Sequence, residues 1–318
     1  MNRRAFLGIV LLLAAAAAQA QDFPARPIRI VAPFPPGNLT DRLARLLGDR
    51  MQAAWGQPVI VENRPGAHGN IGAMEVVKAP ADGYTLFMGY VGTHAVNPSL
   101  YADLPYDPVR DFAPVALVAS VPNLLVVRPD LAARDVRELV ALAKSKPGTL
   151  TFASIGSGTS THMAAEQFRL AAGIELVHVP YKGIAPALLD VVAGRVDMMF
   201  GTVASGYPLV KSGKLRGLGV TAAARATAAP EVPTFSEQGY AGFEQGAWFA
   251  LYAPAGTPSA VVDMLHGEVS RALQAQAQSL AAQGITPLGG SPRELAEFQL
   301  EETARWARVV RQAGIKPD

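Results

Sequence analysis

The sequence predicts an α/β fold with a mostly parallel sheet, divided into two lobes. Short apolar runs of strand length alternate with amphipathic helical stretches along almost the whole chain. Glycine and proline punctuate most changes of period. At 318 residues the chain also exceeds the size at which one hydrophobic core keeps growing.

Strands are expected at 28–32, 59–62, 85–89, 115–119, 124–127, 150–154, 175–179, 196–201, 215–221 and 248–253. A first helix over 39–51 places Leu43, Leu46, Leu47 and Met51 at the three-and-four spacing of a buried face. Asn38 and Asp41 stand where an N-terminal capping pair would. The glycine-rich loop from Glu62 to Gly72 leads into a second helix. Helix 134–144 is stopped by Lys146-Pro147-Gly148, and helix 161–172 by Gly173. Pro186 and Gly194 bound a helix over 187–193. Residues 258–282 and 292–313 read as long surface helices whose Leu, Phe and Trp side chains, Trp306 included, dock on the core. The chain is expected to cross between lobes near Ser120-Val121-Pro122 and to return between Ala226 and Gly246. That gives a discontinuous lobe one, 22–121 plus 247–318, and an inserted lobe two, 122–246.

Residues 1–20 read as a cleaved export signal. Asn2-Arg3-Arg4 is the basic start, residues 6–18 are apolar, and Ala18-Gln19-Ala20 supplies the small residues a signal peptidase reads. Arg3-Arg4 fits the twin-arginine route as well as an ordinary Sec signal, and either implies the periplasm. The chain has no cysteine, which removes thiol nucleophiles, thiolate metal sites and a lipid-bearing cysteine. Taking Arg3 and Arg4 from the 28 basic residues leaves 26, against 26 acidic ones. A near-neutral mature chain argues against nucleic acid or an anionic membrane as partner.

Two turns carry the candidate chemistry. Strand 28–32 runs through Phe34, Pro36, Gly37, Asn38, Thr40 and Asp41 straight into a helix. The first turn of a helix leaves N–H groups unpaired, and its dipole favours an anion. The amides of Asn38, Leu39 and Thr40 are therefore expected to face a ligand, with Phe34 as an apolar wall. A second turn offers Ser157, Gly158, Thr159, Ser160, Thr161 and His162 at another helix start. Facing each other across a cleft, the two would hold a small anion without chemistry. His68 is either an exposed loop histidine or a donor at the cleft rim. Tyr90, Thr93, His94, Tyr181, Lys182 and Thr202 follow strands, where ligands of open α/β sheets bind. Asp197 is either a partner for a ligand ammonium or a structural group for Arg195 or loop amides. Trp248 is expected to pack at the hinge.

An enzyme is disfavoured. Ser154-Ile155-Gly156-Ser157-Gly158 is not a nucleophile elbow, and the five histidines lack metal-ligand spacing. No cofactor and no metal is expected. The surviving catalytic alternative is a hydrolase using Ser160 with His162 or His94.

The order of segments resembles the extracytoplasmic solute receptors of the tripartite tricarboxylate transporter family, the Bug-type receptors. The matching stretches include Pro33-Phe34-Pro35, Thr40-Asp41, Val61-Glu62-Asn63-Arg64-Pro65-Gly66, Ala81-Asp82-Gly83-Tyr84-Thr85-Leu86 and Asn97-Pro98-Ser99-Leu100-Tyr101. They continue with Gly156-Ser157-Gly158-Thr159, Val179-Pro180-Tyr181-Lys182-Gly183 and Pro254-Ala255-Gly256-Thr257-Pro258. The resemblance implies a type II periplasmic binding fold, two α/β lobes joined by two crossing strands with the ligand cleft between them. It implies a monomeric receptor for a small carboxylate, whether di- or tricarboxylate, acidic amino acid or aromatic carboxylate. It further implies delivery to a permease with one large and one small membrane subunit, the 34–41 and 156–162 turns gripping the carboxylate. A sensor presenting its closed form to a membrane signalling protein is the alternative. Two departures stand out: the family usually has a small residue, often glycine, at Asn38, and a glycine at His68. Larger polar groups there suit a solute with a second polar end.

Overall fold

The computed structural model describes residues 23–243 and 246–317; the leader expected at 1–20 lies outside them. Strand β1 (Ile28–Ala32) leads into helix α1 (Leu39–Trp55), then β2 (Val59–Asn63), α2 (Asn70–Val77), β3 (Thr85–Tyr90), a short α3 (Asn97–Leu100) and the long β4 (Phe112–Val127). Next come α4 (Val136–Ser145), β5 (Thr151–Ser154), α5 (Ser160–Ala172), β6 (Val177–Pro180), α6 (Ile184–Val192), β7 (Met198–Thr202), α7 (Val203–Lys211) and β8 (Arg216–Val220). Strand β9 (Gly246–Pro254), α8 (Ser259–Ala282), β10 (Thr286–Gly290) and α9 (Pro292–Ala313) close the series.

The strands lie on one hydrogen-bonded path, β2-β1-β3-β9-β4-β7-β5-β6, with β10 and β8 also on β4. Strand β4 belongs to both lobes. Up to Pro122 it pairs with β9 and β10; from Asn123 on it pairs with β7 and β8. In one lobe β1 runs parallel to β2 and β3, and in the other β5 runs parallel to β6 and β7. Parallel strands buried on both faces read as near-continuous apolar runs, as in Ile28–Ala32.

Each lobe has its own core. Ile30, Leu47, Phe87, Leu251 and Trp306 share the first, so the last helix docks where its pattern predicts. In lobe two, alternate residues of β4 feed opposite faces of the sheet. Leu125 and Val127 join Phe152, Phe168 and Phe200, whereas Leu124 and Val126 join Leu188 and Met199.

Three elements depart from the pattern in the sequence. Pro122 cannot donate to a ladder and reads as a break between two strands. In the structure the strand continues, because its partners change there: Pro122 lies opposite Gly246, and Asn123 opposite Thr202. Gly246 is required at this crossing, since a Cβ would sit 2.3 Å from the Val121 carbonyl oxygen. Strand β10 contains Pro287 and two glycines, and α7 contains Gly206 and Pro208. Neither element has the propensity to announce itself; docking on β4 holds both.

Candidate ligand-binding site

The ends of β1, β5, β6 and β7 each feed a helix, and four helix starts meet at one cavity of about 110 Å³ between the lobes. Lobe one supplies Phe34, Gly37, Asn38, Leu39, Arg42 and Tyr90, while Ala247 and Phe249 come from β9. Lobe two supplies Ile155, Thr159, Ser160, Thr161, Ile184, Thr202, Ala204 and Ser205. No acidic side chain lines this cavity among the described residues.

The helix ends differ in what they offer. At α1 the Asn38 side chain accepts from the Thr40 amide at 3.2 Å, and the Asn38 amide donates to the Pro35 carbonyl at 3.3 Å. Asp41 accepts from the Gly37 amide at 2.9 Å and pairs with Arg45 at 2.9 Å. Burial pushes the Asp41 carboxyl up, but hydrogen bonds from Arg45, Gly37 and Asn63 outweigh it and hold the group below the usual carboxylate range. The expectation that Asn38 and Thr40 turn their amides to a ligand is thus corrected: both are engaged within the turn, and Asp41 already places a negative charge on the helix end. By contrast α5, α6 and α7 have neither a side-chain cap hydrogen bond nor an acidic residue in the first turn. Their N-termini reach the cavity through Ser160 and Thr161, Ile184, and Ala204 and Ser205.

The hydroxyls do local work. Thr159 Oγ1 donates to the Gly156 carbonyl at 2.7 Å and lies 2.9 Å from Thr161 Oγ1, which accepts from the Ile155 amide at 3.1 Å. Thr202 Oγ1 lies 2.9 Å from Ser205 Oγ. Phe34 meets the Tyr90 ring edge-on at 5.0 Å, forming an apolar wall, and the Tyr90 hydroxyl donates to the His68 carbonyl at 3.0 Å. Burial pushes that phenol well above its ordinary value. Pro36 is exposed and Thr40 buried in the same turn.

A second, wider chamber of about 610 Å³ shares Phe34 and Ile155 with the first and opens outward past His68, Tyr181 and Lys182. His68 Nδ1 lies 2.6 Å from the Tyr101 hydroxyl. The Tyr181 hydroxyl donates to Asp190 at 2.8 Å, so it serves lobe two itself. Burial and that carboxylate push the phenol up to about 12.

The other candidates sit elsewhere, which corrects their assignment to the cleft. Thr93 and His94 are fully buried. Thr93 donates to the Tyr90 carbonyl at 3.1 Å, and the His94 ring stacks on Tyr252 at 3.8 Å. Burial lowers the His94 imidazole to about 3. Asp197 binds Arg128 at 2.9 Å and the Thr151 amide at 2.8 Å, a structural role with partners other than Arg195. Gly158 packs on Val96, Asn97 and Leu100, where a Cβ would meet Leu100 at 2.9 Å. Ser157 and His162 line a separate cavity of about 500 Å³ with Glu166, Arg169 and His178. The His162 ring stacks on His178 at 4.3 Å. Ser160 and His162 therefore line different cavities, so the pairing of those two residues is not assembled; the serine that meets a histidine is Ser154, whose Oγ lies 2.6 Å from His178 Nε2. Among the described residues no cluster of three or more His, Asp or Glu could hold a metal ion. Nor, among the described residues, is any helix long and apolar enough to cross a membrane.

The residues that sequence reasoning missed are Arg42, Ile155, Ile184, Ala204, Ser205, Ala247 and Phe249. Arg42 was accessible to reasoning: it lies four residues after Asn38, on the same helix face. Its guanidinium also donates to Gln283. Phe249 shares no signal with its neighbour Trp248, which turns to the hinge and donates to Glu302 at 3.0 Å.

Residues 43–315 match the family model described as tripartite tricarboxylate transporter family receptor. The chain is 42% identical over 315 residues to the "UPF0065 protein in tcbD-tcbE intergenic region" of Pseudomonas sp. (strain P51), covering 97% of this chain and 94% of that one. It is 39% identical over 317 residues to BugT of Bordetella pertussis, covering 98% and 97% respectively. Among solved structures, R. palustris Rpa4515 with adipate superposes at a TM-score of 0.88 and 39% identity, over 93% of this chain and 100% of that one. Periplasmic binding protein BugD gives 0.85 at 33%, over 93% and 100%. MatC from Rhodopseudomonas palustris with bound malate gives 0.83 at 36%, over 91% and 100%.

Proposed function

The chain belongs to the tripartite tricarboxylate transporter receptor family, a family of receptors rather than enzymes, and on that premise we propose that it captures a small carboxylate-bearing solute in the periplasm and hands it to a membrane permease. One observation carries the proposal. Three helix N-termini, uncapped by side chains and free of first-turn acids, meet Arg42 at a cavity without an acidic side chain. Such a site attracts a carboxylate through amide donors and aligned dipoles. Charge-assisted hydrogen bonds in a dehydrated cleft are each worth roughly 1.5–3 kcal/mol, so a few suffice for micromolar affinity. The relatives solved with adipate and malate support the same ligand chemistry.

The solute binds while the lobes are apart, and closure about Pro122 and Gly246 brings the second set of contacts. Those contacts exist only in the closed form, so binding shifts the equilibrium toward it. The change of β4 partners at Pro122 and Asn123 supports the division into 22–121 plus 247–318 and 122–246. The receptor acts as a monomer without cofactor, delivering to one large and one small permease subunit.

Thermal denaturation against a carboxylate library tests this. A true ligand at a hundred times its Kd adds about 2.7 kcal/mol of stability. At least one carboxylate is expected to score and neutral sugars are not; stabilisation by sugars or metals alone would refute the reading.

A further inference from the structure

We propose that Lys182 and His68 form a distal subsite at the mouth of the cleft, selecting solutes that carry a second anionic group. The inference rests on the carboxylate-receptor reading and adds residues and selectivity to it.

The inner cavity measures about 110 Å³, and the chamber beyond Phe34 and Ile155 about 610 Å³. A solute anchored at the helix ends therefore directs its far end outward. The walls it meets are unusual: Pro33, Pro35, Pro65 and Pro180 all line the outer chamber. Proline has no N–H, so these four positions offer the solute no backbone donor. The polar groups that remain are few, and no acidic side chain lines the chamber among the described residues. The exposed Lys182 ammonium enters no ion pair among the described residues, so its charge is uncompensated there. An anionic far end is favoured by this arrangement, and an ammonium, as on an amino acid, is opposed by it.

His68 stands opposite, on lobe one, in a conformation that an L residue seldom takes. Its φ and ψ are 50° and 41°, and Ala67 before it has φ 43°. Two consecutive non-glycine residues in the left-handed region are costly and persist only where the surroundings fix them. Here Tyr90 and Asn97 both donate to the His68 carbonyl, at 3.0 and 3.3 Å. Tyr101 holds its ring from the side at 2.6 Å. His68 is thereby fixed in the wall of the outer chamber that Lys182 also lines.

The test compares adipate with hexanoate, which share chain length and differ in the second carboxylate, by calorimetry on the mature protein. Wild type is expected to prefer adipate by at least about tenfold, the worth of one charge-assisted contact. Lys182→Gln should bring the adipate-to-hexanoate ratio close to one. His68→Gly should reduce it about threefold, and glycine suits the left-handed backbone, so folding is preserved. Equal affinity for both acids in wild type, or loss of both acids in equal proportion in the variants, overturns the subsite. Failure of every carboxylate to bind wild type overturns the receptor reading instead. Tighter binding of 6-aminohexanoate than of adipate likewise defeats the proposal.

Discussion

The two jaws of the cleft are built from the same local pattern, a strand, a glycine-bearing turn and a helix start, yet they do opposite things. In lobe one the turn consumes several of its own donors: Asn38 takes the Thr40 amide, Asp41 takes the Gly37 amide, and Arg45 balances the carboxylate. In lobe two three successive helices leave their first turns without side-chain caps. The pattern alone therefore does not make an anion site. What decides is whether a capping side chain or an early acid already occupies the helix end. In the proposed receptor, lobe one is a preassembled platform that supplies walls and the Arg42 charge, and lobe two supplies the amides.

The strongest way to break this comparison is to give lobe two the device lobe one already has. Thr202 is the N-cap of α7 and lines the inner cavity. Thr202→Asp should stabilise the helix end, because aspartate caps at least as well as threonine. It would also place a carboxylate beside the bound one, and like charges a few ångströms apart cost several kcal/mol in a partly desolvated cleft. The expected result is a carboxylate affinity lower by about 100-fold with an unchanged or raised melting temperature. Affinity retained within threefold would put the solute somewhere other than the helix ends of lobe two.

A second prediction concerns the foundation of the platform. His94 lies beneath the lobe-one jaw, buried between Tyr252 and Phe112, and its Nε2 has no hydrogen-bond partner among the described residues. The fold lowers this imidazole to about 3, so the unfolded chain binds a proton that the native protein refuses. Stability is thus full above the ordinary imidazole value near 6.5 and falls as the pH drops toward 3. Between pH 7 and pH 5 the loss from this group is about 2 kcal/mol. Denaturant unfolding at both pH values should show it, and His94→Phe should flatten the slope whatever its packing cost. If the slope persists in the variant, the acid sensitivity belongs to other groups.

Much of this architecture was legible in the sequence, and the failures have identifiable causes. The strands with apolar side chains on both faces, such as Ile28–Ala32, and the helix ending in Gly173 follow from local chemistry. Strand β10 and helix α7 do not, because Pro287, Gly206 and Pro208 lower their propensity and only docking on β4 compensates. At the site, two readings of one turn competed for the same groups. Asn38 and Asp41 as caps, and amides turned to a ligand, cannot both hold, and the cap won. His94 and Asp197 were placed by their position at or near strand ends. Position along a strand does not say which face a side chain takes, and the core and Arg128 claimed them. Ile184 and Ala204 carry no chemistry of their own; what matters there is the backbone, which single-residue reasoning overlooks.

The smallest expected effect sharpens the comparison from the other side. Asn38→Gly removes the cap that closes α1, and glycine at an N-cap costs only a few tenths of a kcal/mol relative to asparagine. The Thr40 amide, now paired with Asn38 Oδ1 at 3.2 Å, loses its acceptor at the edge of the cleft. A carboxylate in the cavity can then take that place, and one neutral-donor hydrogen bond is worth about 1 kcal/mol net. Hexanoate affinity should rise about threefold to fivefold while the melting temperature falls slightly. The gain should vanish in the double variant with Thr202→Asp, because a donor restored in lobe one has no bound carboxylate to meet when lobe two repels it. A weaker-binding Asn38→Gly protein would instead make the Asn38 side chain itself a contact to the solute, and lobe one would be a gripping jaw after all.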